Sequence, residues 1–259
     1  MTFYLVPEIT LGVLVLTGGY VYAVSPWNPD RVARVSWPRV IAFLAGVVTL
    51  FIALHPPLDT LAAESHFSVH MQQHLLLSLA VAPLLLIGLP SWLQEPVFRP
   101  WLVRMAARQV TRLPVALIVG TVSFWLWHMP SLYELALQER VVHDFEHLTI
   151  IAGALIMWWP VLSRAHSVPS ASQPMQILYL LVLSIPSGFF SAILVFAESP
   201  LYPTYEVARG AEALVDQRVG GLIMKLGGTL VLWTILSVKF IRWMGQPAGI
   251  DPSAPGKSR

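Results

Sequence analysis

The chain has 259 residues, of which 56% are hydrophobic and only 12% charged, with a mean hydropathy of +0.66 and a formal net charge of +2. Soluble domains carry about a quarter charged residues, so this is the composition of a polytopic membrane protein, and the small net charge gives no ground for a nucleic-acid partner. The lack of cysteine excludes disulfides, iron–sulfur clusters and thiolate metal sites, leaving His, Met, carboxylate and carbonyl groups as the only protein donors to a metal.

A helix needs about 20 mostly apolar residues to cross the ~30 Å hydrocarbon core of a bilayer. The first segment, MTFYLVPEITLGVLVLTGGYVYAV, lacks the basic n-region of a secretory signal and reads as a retained span over 7–24. Six more follow at about 38–55, 67–89, 113–129, 142–162, 175–197 and 217–241. The fourth is short, penned between Arg112 and Pro130. Prolines 38, 56, 57, 90, 114, 130, 174 and 200 sit at span boundaries, where they start or stop helices. Pro83 and Pro186 fall inside spans, where neighbours can satisfy the freed carbonyls. The expected fold is an all-α bundle of seven transmembrane helices in one domain, residues 1–243, with a flexible cytoplasmic tail over 244–259.

Arg and Lys collect in cytoplasmic loops. Twelve of the sixteen lie on one side of the expected bundle: Arg31, Arg34, Arg39, Arg99, Arg104, Arg108, Arg112, Arg164, Lys239, Arg242, Lys257 and Arg259. Only Arg140, Arg209 and Arg218 lie on the other, and Lys225 falls within the last span. Seven spans with that bias predict an N-terminus outside and a C-terminus in the cytoplasm.

The histidines then sort themselves. His55 ends the second span, His66, His70 and His74 begin the third, His128 ends the fourth, and His143 and His147 begin the fifth. All seven fall at the extracytoplasmic end, and only His166 is in a cytoplasmic loop. Residues four apart share a helix face, so HMQQH and HDFEH each present two imidazoles together. His74 lies about 12 Å deeper than His66 at ~1.5 Å per residue, and ionisable groups at such depth face the bundle interior or a wet cavity. Neutral imidazole is the commonest metal ligand, although histidines also tie helices together by hydrogen bonds.

Near the second pair, Glu146 and Asp144 could orient the imidazoles or ligate directly; Asp144 also suits the first turn of a helix. Asp216, at the start of the last span, could face the histidines or cap its helix. Met71 and Met129 adjoin His70 and His128, but adjacent helical residues point about 100° apart, and packing explains such methionines. Lys225 lacks an evident partner in the sequence.

The segments HMQQHLLLSLAVAPLLLIGLP, FWLWHMPSLYELAL, VVHDFEHLTIIAGALIMWWPVL and DQRVGGLIM resemble the CtaG-type cytochrome c oxidase assembly factors of bacteria. The family meant is the seven-span one associated with caa-type oxidases, not the single-span copper chaperone of the same name. The likeness runs from about residue 60 to 240, in matching order and spacing. It implies a multi-pass protein of the bacterial plasma (inner) membrane that supports maturation of a haem–copper oxidase. By that likeness His70, His74, His128, His143 and His147 fall on the family's histidine positions and Asp216 on its acidic position, while His55 and His66 lie outside the matched motifs. The expected cargo is copper, bound at those five histidines with Glu146, Asp216 and Asp144 around them. The expected partners are the oxidase catalytic subunit or other assembly factors, and lipid. Two other readings stay open: a zinc-dependent hydrolase with Glu146 or Asp216 as base, and a haem-binding protein.

Overall fold

Proline opens most of the long helices, because its fixed φ suits the first turn and its missing N–H would have no partner there. Pro7, Pro38, Pro114 and Pro174 hold that place in α1 (Pro7–Val24), α2 (Trp37–Leu54) and the later helices Leu113–Trp127 and Gln173–Phe196. The structure, a computed structural model, describes residues 6–29 and 32–246. Arg31 and the last part of the expected tail, 247–259, lie outside the described residues.

After α2 come a short helix α3 (Leu58–Glu64) and then α4 (Phe67–Leu75). One wider π turn (Leu76–Val81) joins α4 to α5 (Ala82–Gly88), and the three make one span. A short α6 (Ser91–Gln94) and a 3-10 turn lead to α7 (Trp101–Val110). The next helix, α8 (Leu113–Trp127), is bent from α7 by 78°. Then follow α9 (Pro130–Gln138), α10 (Arg140–Leu162), α11 (Gln173–Phe196), α12 (Pro203–Arg209) and α13 (Ala213–Met244). Among the described residues there is no strand.

Six helical segments are long and apolar enough to cross a membrane, and α8 makes a seventh if it and α7 count as one bent span. Helices thus occupy the seven expected stretches in order, the fourth qualifying as a span only together with α7. Two of the four arginines before the fourth span, Arg104 and Arg108, sit on the helix α7, not in a loop; it buries no residue, and Trp101 and Leu102 are exposed beside them. Such an amphipathic segment suits the bilayer surface.

Five spans close a ring: α4–α5 packs on α13, α13 on α11, α11 on α8, α8 on α10, and α10 back on α5. The α2 helix packs outside α5, and α1 outside α2. Close approach depends on missing side chains. A Cβ at Gly88 would come within 2.5–2.7 Å of the Phe43 Cβ and backbone, and one at Gly220 within 2.6 Å of the Phe67 ring. These two glycines set α5 against α2 and α13 against α4. The histidines gather at one end of the ring; Arg99, Arg104, Arg108, Arg112 and Arg164 lie at the other.

Candidate metal centre

Three helices bring imidazoles to one end of the bundle and a fourth adds a carboxylate. On α4, His70 and His74 stand one turn apart, both buried, with their Nε2 atoms 2.8 Å from each other. On α10, His143 and His147 repeat that spacing, their rings 4.4 Å apart. The two pairs face each other: His70 lies 5.8 Å from His143 and His74 5.9 Å from His147, ring to ring. From the end of α8, His128 comes within 5.3 Å of His74.

Glu146 turns inward between the pairs and is fully buried. Its Oε1 lies 3.7 Å from His70 Nε2 and 3.5 Å from His74 Nε2. Asp59, on α3, approaches from the side of His143. Gln73 holds Asp59 in place: its amide donates to Asp59 Oδ1 at 2.9 Å and to the Ala53 carbonyl at 2.8 Å.

Two sets of donors result. One atom each from His70, His74, Glu146 and His147 lie within 4.8 Å of one another, and so do one each from Asp59, His143 and His147. Ligands about 2.0–2.1 Å from a tetrahedral ion stand about 3.3 Å apart, a spacing that these separations bracket. Several polar atoms of this cluster are also free. The Nε2 atoms of His128, His143 and His147, and both oxygens of Glu146, are buried without a hydrogen-bond partner. For His128 the tautomer follows, since Nδ1 donates to the Phe124 carbonyl at 2.6 Å and leaves the lone pair on Nε2. Buried polar atoms normally find partners, and a bound cation would supply these with one.

A tyrosine wall backs the cluster. Tyr205 donates to the Ala62 carbonyl at 2.7 Å and pairs with the Tyr133 hydroxyl at 3.0 Å, while Tyr202 donates to the His128 carbonyl at 2.9 Å. Burial pushes the Tyr133 and Tyr202 phenols above their ordinary value, so both stay protonated. Beneath His74 opens a cavity of about 100 Å³, lined in part by Met71, Met157 and Met224.

The other sequence candidates stand apart from these donors. His55 is buried, with Nδ1 3.0 Å from the Phe51 carbonyl and Nε2 3.0 Å from the Thr10 hydroxyl. His66 lies between Ser65 and Arg209. Asp144 is half exposed and pairs with Arg140 at 3.0 Å. Asp216 takes the Ser68 hydroxyl at 2.5 Å and the Ser68 N–H at 3.3 Å, which ties α13 to the first turn of α4. Asp59, Gln73 and the tyrosines carried no signal in the sequence. Asp59 sits in a short segment after two prolines, and no spacing rule joins it to His143.

The family model described as "Cytochrome c oxidase caa3 assembly factor" matches residues 18–246. Among curated proteins, an uncharacterized protein of Mycobacterium leprae (strain TN) is 25% identical over 239 aligned residues, covering 83% of this chain and 36% of that protein. The chain thus spans little more than a third of the length of the relative it matches. No solved structure matches the chain.

Proposed function

The chain belongs to the caa3 cytochrome c oxidase assembly factor family, and from that premise we propose that it binds copper in its histidine centre and passes it to a maturing haem–copper oxidase. The observation that carries this reading is the convergence of buried donors: one atom each from His70, His74, Glu146 and His147 within 4.8 Å of one another, with the His147 Nε2 and both Glu146 oxygens lacking hydrogen bonds. Imidazoles without thiolates suit an ion that is handed on rather than stored, and the methionines below His74 offer soft thioethers.

The proposed path starts at Asp59 and His143. His147 belongs to both donor sets, so the ion would keep one ligand while it moves to His70, His74 and Glu146. The basic residues at the opposite end support an orientation with the histidines outside and the C-terminus in the cytoplasm, in a bacterial plasma membrane. The spacing of the donors suits a small ion.

Purified protein is expected to take up at least one equivalent of copper. Replacing His70, His74 and His147 together with alanine should lower that affinity more than tenfold, read by metal analysis after competition with a chelator. Copper uptake unchanged in the triple variant overturns the reading. A reporter active only in the cytoplasm, fused after residue 246, should be active. Zinc retained through purification would favour the hydrolase reading, in which the free Glu146 carboxylate beside His70 and His74 serves as base.

A further inference from the structure

Lys225 lies in the middle of α13 and faces outward, away from the ring of spans. Its ammonium rests against α11 at Gly188, where a Cβ would come within 2.6 Å of Nζ. Gly188 is eight residues from the end of α11 at Phe196, which places the charge about 12 Å inside the helix end at ~1.5 Å per residue. No hydrogen bond or ion pair is made to it by any described residue. A lysine within a span is costly unless a counter-charge or backbone carbonyl meets it, and about 12 Å of helix separates this one from the nearer end of α11.

The surface around it is concave. A groove of about 400 Å³ runs between α11 and α13, with Ser184, Gly188, Thr229 and Trp233 along its walls. Ser184 and Gly188 are four apart on one face of α11, the small-residue spacing that lets another helix come close. A second copy of this chain does not supply the counter-charge. Among its carboxylates within spans, Glu146 and Asp216 are buried, Glu8 lies in the first turn of α1, and Asp144, the fifth residue of α10, is paired with Arg140.

We propose that the α11–α13 groove docks a transmembrane helix of a different membrane protein, and that a carboxylate on that helix pairs with Lys225. The contact is on the outside of the bundle, separate from the histidine centre. It places the partner alongside α11 and α13, which flank the cavity beneath His74.

Ile185, which lines the groove and is 63% exposed, is the position for a photo-crosslinking residue in the full chain made in its own membranes. The expected adduct joins position 185 to a transmembrane peptide of another protein, with an Asp or Glu within one turn of the crosslink. That adduct should fall at least tenfold with Lys225→Leu and persist with Lys225→Arg. All three proteins should be extracted in the same yield and unfold at the same temperature, which shows the variants folded and keeps the result independent of the copper reading. Adducts only to lipid or to a second copy, a partner helix without a carboxylate, no adduct, or an adduct unaffected by Lys225→Leu would each overturn the proposal.

Discussion

The two ends of the bundle bury polar groups in opposite ways. At the arginine end each has a partner: Trp158 Nε1 donates to the Ser78 carbonyl at 2.8 Å, Tyr179 to the Met157 carbonyl at 2.8 Å, and Trp159 Nε1 to the Val168 carbonyl at 2.9 Å. Glu95 accepts from the Ser167 hydroxyl and from the N–H groups of His166 and Ser167. At the histidine end lie all nine buried side-chain polar atoms left without a partner among the described residues, and six of them belong to His74, His128, His143, His147 and Glu146. An orphaned buried donor or acceptor costs about 1–3 kcal/mol. One end therefore satisfies its buried polar groups, and the other leaves donors and acceptors unpaired at a cost in stability.

That contrast breaks most sharply at Trp158, fully buried in the core of the arginine end. Trp158→Ala should cost about 3 kcal/mol through the cavity it leaves, with copper affinity unchanged; unfolding in nanodiscs and metal competition read the two. Glu146→Met should act in the opposite direction. Replacing a buried carboxyl that lacks a hydrogen bond with an apolar side chain should stabilise by about 1 kcal/mol or more, while copper affinity falls about ten- to a hundredfold. A loss of stability in the metal-free variant would mean that Glu146 is structural, and the contrast between the ends would fail.

The smallest effect is expected at Glu95. The Ser167 hydroxyl, ahead of the two N–H groups, holds its carboxyl below the ordinary 4.5. A folded-state value below the unfolded one adds stability that is complete above pH 4.5 and is lost as pH falls through the lowered value. The stability gap between the protein and Glu95→Gln should thus close in acid. A gap that persists would assign the contact's worth to something other than the carboxylate charge.

The spans were legible because apolar runs about 20 residues long, flanked by proline and arginine, admit few other structures. The i, i+4 histidine pairs were legible for a similar reason, since helical periodicity alone puts His70 with His74 and His143 with His147. What joins the pairs was not. Asp59 reaches the cluster only because α3 folds back between α2 and α4, and Gln73 matters only through Asp59. The roles of Asp144 and Asp216 were equally hidden, because a carboxylate near a helix start reads the same whether it meets an arginine, a serine on another helix or a metal. Nor did the sequence separate α7 from a loop: its arginines gave the topology signal and masked the helix that carries them.

The π turn between α4 and α5 has a consequence for how the centre is aimed. Its last N–H, from Ala82, reaches back to the Leu77 carbonyl, five residues earlier, just ahead of Pro83, and the Ser78 carbonyl within it accepts the Trp158 indole. One added residue offsets the angular phase of a helix by about 100°. The two halves of this span are therefore set to different compass bearings, α5 against α2 and the His70–His74 pair against α10. Removing a single residue from Leu76–Val81 would let the span anneal into an unbroken α-helix, and with α5 anchored the imidazoles would swing a quarter turn off their target without any ligand having been changed.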